Sequence, residues 1–528
     1  MTYDLAIINA KIVTLDNVNK IVEAITISNG KIVKVGTKEQ LLKENYYELL
    51  DLDGKTIIPG LIDSHVHLAD FGLTLKSIDL EKAKSIKEVQ KALEKRIKSM
   101  KEGEWIIGRG WSEHKLGRLL TRWDLDIVSP KNPVYLHHYT CHSTVLNSEG
   151  LKASKITKNT KDPIGGWILR DESGEPTGFL RSNARFIPPV GLNGVRPRPS
   201  KEEHRKAVIK GAQRAVTYGL TSIHIPSADL TDVEICCDLA SRGELPLRVN
   251  LMLKVELYDR LSEIKIPNEI GDFVKLNTIK VFSDGSLIAH TAALKEPFNG
   301  ETDNLGLLGD KKLFTSQIIE AHRAGLQLAV HATGDRAVEA VLDAFQEAQT
   351  KYPRTDCRHR IEHGSLMNGE LRRRSKALGV IVSTQPELLT KYGDRFKKSL
   401  GPERLSNAYA LRSLIDDGVI VSGGSDCPLT FCRPLNGIEA AVTRISEITG
   451  EVISPEQRLT LDEAVRMYTI NAAYAGFSES LNGTIKAGNY ADLTVLDRDP
   501  WNVNPSELSK IKVEMTIVGG KIVYRRKS

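Results

Sequence analysis

PGLIDSHVH, residues 59–67, sets His65 and His67 two positions apart at the end of an apolar run. Read as a strand, the run sends alternate side chains to opposite faces, so both imidazoles point the same way and offer two nitrogens to one metal ion. The same spacing suits two surface histidines on a polar strand, and the pair alone does not choose between these readings. The choice depends on what other strands bring to the same end.

From about residue 220 onward, apolar β-branched runs alternate with helical segments such as SQIIEAHRAG and DRAVEAVLDAFQEAQ, the pattern of βα units around a parallel sheet. The strand runs are LIDSHVH (61–67), LTSIHI (220–225), LRVNLML (247–253), NTIKVFS (277–283), LQLAVHA (326–332), RHRIEH (358–363), GVIVSTQ (379–385) and GVIVSGG (418–424). Eight is the number for a closed (β/α)8 TIM barrel. An open doubly wound sheet has the same period, but no G-x-G-x-x-G follows any run.

Residues 1–58 carry short strand-like runs, DLAIINAKIVTLD, AITISNGKIVKVG and GKTIIPG, and the same texture returns over 485–528 in ADLTVLDRDP and VEMTIVGGKIVYRR. SNGK and VGGK read as hairpin turns. Both ends of the chain are expected to build one small discontinuous β-sandwich domain beside a barrel spanning 59–484. The interval from about 68 to 200 breaks the βα rhythm and reads as a lobe inserted after the first strand.

The 528 residues include 73 basic and 67 acidic side chains, interspersed, for a net charge of +6. No long like-charge block calls for nucleic acid. Six cysteines show no C-x-x-C spacing, and the chain starts MTYDLAIINAKIV without a charged and then apolar leader, which points to a reducing cytoplasm. No run approaches the roughly 20 apolar residues that span a bilayer, so no membrane partner is expected.

Barrels of this class place chemistry at the carboxyl ends of their strands. Those positions hold His65 and His67 on strand one, Lys280 on strand four, His331 on strand five, His363 on strand six and Asp426 after strand eight. A polar side chain is otherwise unwelcome at the end of an apolar run. A lone histidine among thirteen would be unremarked, whereas four at strand ends with an Asp form a pattern.

PGLIDSHVH, GEPTGFLR, HATGDRA (331–337), RIEHGSL (360–366), GGSDCP (423–428) and GTIKAGNYADLTVLD occur in the order found in the amidohydrolase superfamily, and the chain resembles its amidohydrolase 3, or YtcJ-like, family over nearly its whole length. The resemblance implies one or two divalent cations, most often zinc. His65 and His67 would hold the first, His331 and His363 the second, and Asp426 would bind the first and act as general base. Lys280, in IKVFSDGSL, matches the position where a lysine is carboxylated to bridge two ions: an ammonium has no lone pair to donate, and a carbamate has two oxygens. The reaction implied is hydrolysis of an amide-type, non-peptide C–N bond of a small molecule by water whose pKa the metal lowers toward about 7. Two other readings are deamination of a heterocyclic amidine at a single ion, and a non-catalytic relative that kept the metal site. The superfamily's common habit is a homodimer.

For substrate contact, His224 closes strand two, while Trp111 and Glu113 in GWSE, His142 in YTCHSTVLNS and Arg170 fall in the inserted lobe. Arg170 would offer a fork for a carboxylate or carbonyl. In SLIAHTAAL, His290 stands where the family usually has arginine, replacing a permanent cation with a titratable ring. Asp284 in FSDGS reads as a structural cap.

Overall fold

The computed structural model describes residues 2–527 except 17, 19, 76, 140–142, 164, 165, 183 and 185–199. Its central sheet has eight parallel strands: β1 (Leu61–Asp63), β2 (Leu220–Ala228), β3 (Arg248–Lys254), β4 (Val274–Phe282), β5 (Gln327–Ala332), β6 (Arg360–His363), β7 (Ile381–Thr384) and β8 (Val421–Gly423). They pair in sequence order from β1 to β8. The two ends of the series then meet. Ser64 N–H donates to Gly423 O at 3.0 Å and Val66 bridges Cys427 in parallel, which closes the barrel.

Helices cover the outside because their apolar stripes need the outward faces of the strands. In Asp335–Lys351, buried Val338, Val341, Leu342, Phe345 and Ala348 recur at helical spacing.

The terminal segments make two further sheets, one of which draws on both ends of the chain. Thr56–Pro59 pairs antiparallel with Leu493–Leu496, placing Ile57 opposite Val495. Ile7, Ile12, Ile25, Ile57, Leu493 and Ile517 share one buried cluster. Asn29 and Gly30 join Ala24–Ser28 to Lys31–Gly36, and Gly519 and Gly520 join Val513–Val518 to Lys521–Arg525. All four turn residues have positive φ, as two-residue turns matched to the twist of a hairpin require. Gly30 is further constrained, since a Cβ there would lie 2.9 Å from Gly519 O.

Two compact units result: Met1–Leu68 with Ala212–Ser528, and Ala69–Gly211. The insertion thus runs further than the expected end near 200 and takes in most of helix Lys201–Val216. Its own sheet runs Gly166–Arg170, Pro176–Ser182, Ser143–Leu146, Val134–His138, Ile106–Trp111, Ile78–Asp79. Val89 and Leu93 of helix Ile86–Ile97 join its core with Trp111, Leu125 and Leu136. Among the described residues, no helix is long and apolar enough to cross a membrane.

Candidate metal centre

β1 stops at Asp63, so His65 and His67 stand just past the strand and not on it, a correction to the strand read through residue 67. The two-residue period survives because Val66, between them, is bridged to Cys427. Both rings therefore still face one carboxylate: His65 Nε2 lies 3.6 Å and His67 Nε2 3.4 Å from Asp426 Oδ1.

β6 ends in His363, whose ring centroid lies 5.0 Å from that of His65 and 4.5 Å from that of His331 on β5. Ligand atoms of His65, His363 and Asp426 all fall within 4.8 Å of one another. Alternation along β6 would send His363 to the face opposite Glu362. A left-handed backbone at His363 (φ 74°) redirects it, and Asp426 is also left-handed (φ 52°). Such conformations are unfavourable for L-residues and are kept where surrounding structure enforces them.

The rings are oriented by the nitrogens that face away from the cluster. His65 Nδ1–H donates to Glu362 Oε2, and His363 Nδ1–H donates to Gln385 Oε1 at 2.7 Å, so each keeps its Nε2 lone pair for a cation. His331 Nε2–H donates to Gly285 O at 2.8 Å, so Nδ1 is the nitrogen that carries its lone pair. Burial holds His65 largely neutral by lowering its pKa to about 4, the form a ligand needs. For Asp426 burial works upward, but the hydrogen bond from His67 and the neighbouring imidazoles more than reverse it and keep the carboxylate ionised.

Lys280 is fully buried on β4, and its Nζ has no hydrogen-bond partner among the described residues. Burial brings its pKa down to about 8, so a substantial fraction is neutral amine near physiological pH.

Arg360, Glu362 and Asp63, beneath these candidate ligands, belong to none of the sets picked out from the sequence. Arg360 Nε donates to Glu362 Oε1 at 2.7 Å, and the same guanidinium reaches His224 Nδ1 at 2.9 Å, Ser64 O at 2.8 Å and Ser383 Oγ at 3.1 Å. Burial pushes the Glu362 carboxyl up, while Arg360 and His65 outweigh it and hold it well below the usual range. Asp63 Oδ1 accepts the N–H groups of His65 and Ser425, tying β1 to the segment that carries Asp426. Arg360 and Glu362 are two charged residues spaced by two within a short strand, a spacing that marks one face and was available to be read.

Several expected substrate contacts resolve differently. His224 is buried inside the barrel as the far end of the Arg360 network and does not open at the mouth. Trp111 is fully buried in the core of the second unit, with Nε1–H bonded to Leu136 O at 3.0 Å. Both ends of the Arg170 guanidinium are engaged locally, by Asp162 and Ile168 O and by Thr160 O. Glu113 accepts from His138 at 2.6 Å. His142 lies outside the described residues. His290, in the loop after β4, stacks on Phe298 at 4.6 Å and bonds to Glu301. Asp284 is a tie between loops: it accepts the N–H groups of Ala293, Thr333 and Gly334 and the Thr333 hydroxyl.

A second buried group, His322, Cys357 and His359, also has metal-like spacing. Its hydrogen bonds argue otherwise. Leu328 N–H donates to His359 Nδ1, so the proton sits on His359 Nε2 and is donated to His322 Nδ1 at 2.8 Å; His322 Nε2–H goes to Tyr352 O. The lone pairs facing the gap are thus already paired through that proton, forming a closed neutral chain.

Residues 48–524 match the Amidohydrolase family. This chain belongs to the Amidohydrolase family. Among its relatives it is 33% identical over 526 residues to YtcJ of Bacillus subtilis (strain 168), a protein named provisionally as an amidohydrolase, with 96% of each chain covered. It is 30% identical over 542 residues to the N-substituted formamide deformylase of Arthrobacter pascens, covering 99% of this chain and 98% of that one. Two solved structures of uncharacterized metal-dependent hydrolases are also similar. That from Pyrococcus horikoshii OT3 has a TM-score of 0.78 at 27% identity over 95% of this chain and 99% of that one. That from Pyrococcus furiosus has a TM-score of 0.75 at 30% identity over 94% and 99%.

Proposed function

We propose that this member of the Amidohydrolase family hydrolyses an amide-type, non-peptide C–N bond of a small molecule at a metal centre held by His65, His67, Lys280, His331, His363 and Asp426. The observation that carries the reading is the convergence of His65, His363 and Asp426 donor atoms within 4.8 Å beside a buried Lys280 whose Nζ has no hydrogen-bond partner among the described residues. Imidazole nitrogens and a carboxylate suit zinc or a similar divalent cation. Such a cation, once bound, would polarise the substrate carbonyl and make water acidic enough to act near neutral pH. Asp426 takes the proton from the attacking water and returns it to the amine nitrogen as the C–N bond breaks, leaving a carboxylic acid and an amine. Glu362 and Gln385 hold His65 and His363 in register throughout.

A buried amine with a depressed pKa is the form that adds carbon dioxide, so Lys280 as a carbamate is part of the proposal. N-substituted formamides are the first substrates to try, by similarity to the deformylase. The test is metal analysis of the purified protein with carbon-13 NMR after labelled bicarbonate. We expect about two divalent ions per chain and a carbamate resonance that Lys280→Met abolishes. One ion and no resonance would favour the single-ion deaminase reading, to which the tight His65, His363 and Asp426 group also lends itself.

A further inference from the structure

Phe282 is the last residue of β4, at the end of the strand where barrels of this class do their chemistry. It lies two positions after Lys280 and so shares its face; Val281 between them is buried on the other side. The ring sits 5.3 Å from the His331 ring, tilted by 34°, and 5.1 Å from Lys280 Nζ. Yet Phe282 is 52% exposed, while Lys280 below it is 1% exposed. Single exposed apolar residues are ordinary on protein surfaces. This one is set apart by its place: a large flat apolar surface left open at the rim of a polar, charged cluster. The backbone gives it a fixed direction, because Ser283 N–H donates to His331 O at 3.0 Å and Ser283 Oγ–H to the same oxygen at 2.6 Å. A rigid ring next to the reacting centre discriminates ligands by what they lay against it, and aromatic or branched apolar groups gain most from doing so.

We infer that Phe282 is the specificity wall of the centre, taking an aromatic or bulky apolar substituent attached next to the scissile C–N bond. The inference rests on the metal-centre reading and narrows its substrates to amides that carry a large apolar substituent beside the scissile bond. Small, fully polar substrates leave the ring in water and gain nothing from it.

Zinc-loaded protein is titrated by calorimetry with acetohydroxamate and benzohydroxamate, two chelating probes that share the metal-binding group and differ in the ring. Wild type should prefer the aryl probe by about tenfold, or ~1.4 kcal/mol. Phe282→Ala should bring the preference close to parity while leaving acetohydroxamate affinity within about twofold of wild type. Phe282→Leu, which keeps apolar bulk without the ring, should fall between. An undiminished aryl preference in Phe282→Ala overturns the inference and leaves the metal centre standing. An equal loss for both probes overturns it too, because the ring would then only be packing His331. Failure of wild type to bind either hydroxamate removes the metal-centre reading itself and the inference with it.

Discussion

Asp426 works from a backbone that L-residues avoid, with a left-handed φ of 52° and its N–H held by His65 O at 2.8 Å. The arrangement points one carboxylate at two imidazoles from a different part of the chain, where it can both bind a cation and move a proton. Separating those two tasks needs a substitution that keeps shape and one oxygen. Asp426→Asn is expected to retain most of the bound metal and to lower kcat by roughly 10²–10⁴-fold, the range for loss of a general base. Unchanged turnover in a steady-state assay would assign the proton transfer to another group. Glu362 behaves differently at the same scale. It is fully buried and acts through His65, as one half of an ion pair with Arg360.

At the scale of single elements, the helix Arg122–Asp126 shows how the second unit holds its own loops. Asp124 caps the helix start through Thr121, and Arg118 forks onto both of its carboxylate oxygens at 2.8 and 2.6 Å. Burial pushes this carboxyl up, but Arg118 and Thr121 more than reverse it and lower its pKa below the ordinary 3.8. A carboxyl whose folded pKa is depressed contributes its full stability above the unfolded value and loses it as pH falls from there through the folded pKa. Asp124→Asn should therefore destabilise by roughly 1 kcal/mol at neutral pH. The gap between variant and wild type should close as pH drops below 3.8 in urea titrations. A gap that stays constant with pH would place the effect in packing.

The barrel strands were legible in the sequence because buried parallel strands are continuous β-branched runs, and those runs need no knowledge of partners. The candidate ligand positions were legible for the opposite reason: a histidine ending such a run is conspicuous. The direction of His363 was not, since strand alternation points it away and only the local φ of 74° turns it back. In the sequence Trp111, Arg170 and His224 look pocket-facing because their residue types suit ligands. Whether an arginine's fork is free depends on carbonyls such as Thr160 O, which no residue type announces.

For the whole molecule, the proposed metal ligands come from β4, β5 and β6 and from the segments just after β1 and β8, so a bound cation would tie together elements from both ends of the barrel series. Anything that binds the folded state alone stabilises it by mass action, about 2.7 kcal/mol at a hundred times Kd. Stripping the protein with a chelator should lower its Tm, and zinc added back should restore it with a dependence on zinc concentration. Identical melting of stripped and reloaded protein would mean that the ion does not link these elements.

The pairing of Thr56–Pro59 with Leu493–Leu496 sets the order in which the chain becomes a protein. Leu61 N–H, at the start of β1, donates to the hydroxyl of Thr494, a residue 433 positions later. At 5–20 residues per second, a ribosome takes roughly 20–90 s to cover that distance. Through that interval the nascent chain carries Ile57 and its neighbouring strands without the partner that covers them, and β1 lacks its anchor. The first barrel strand made is thus among the last to be secured, and the early apolar residues beside it must stay in solution through most of synthesis.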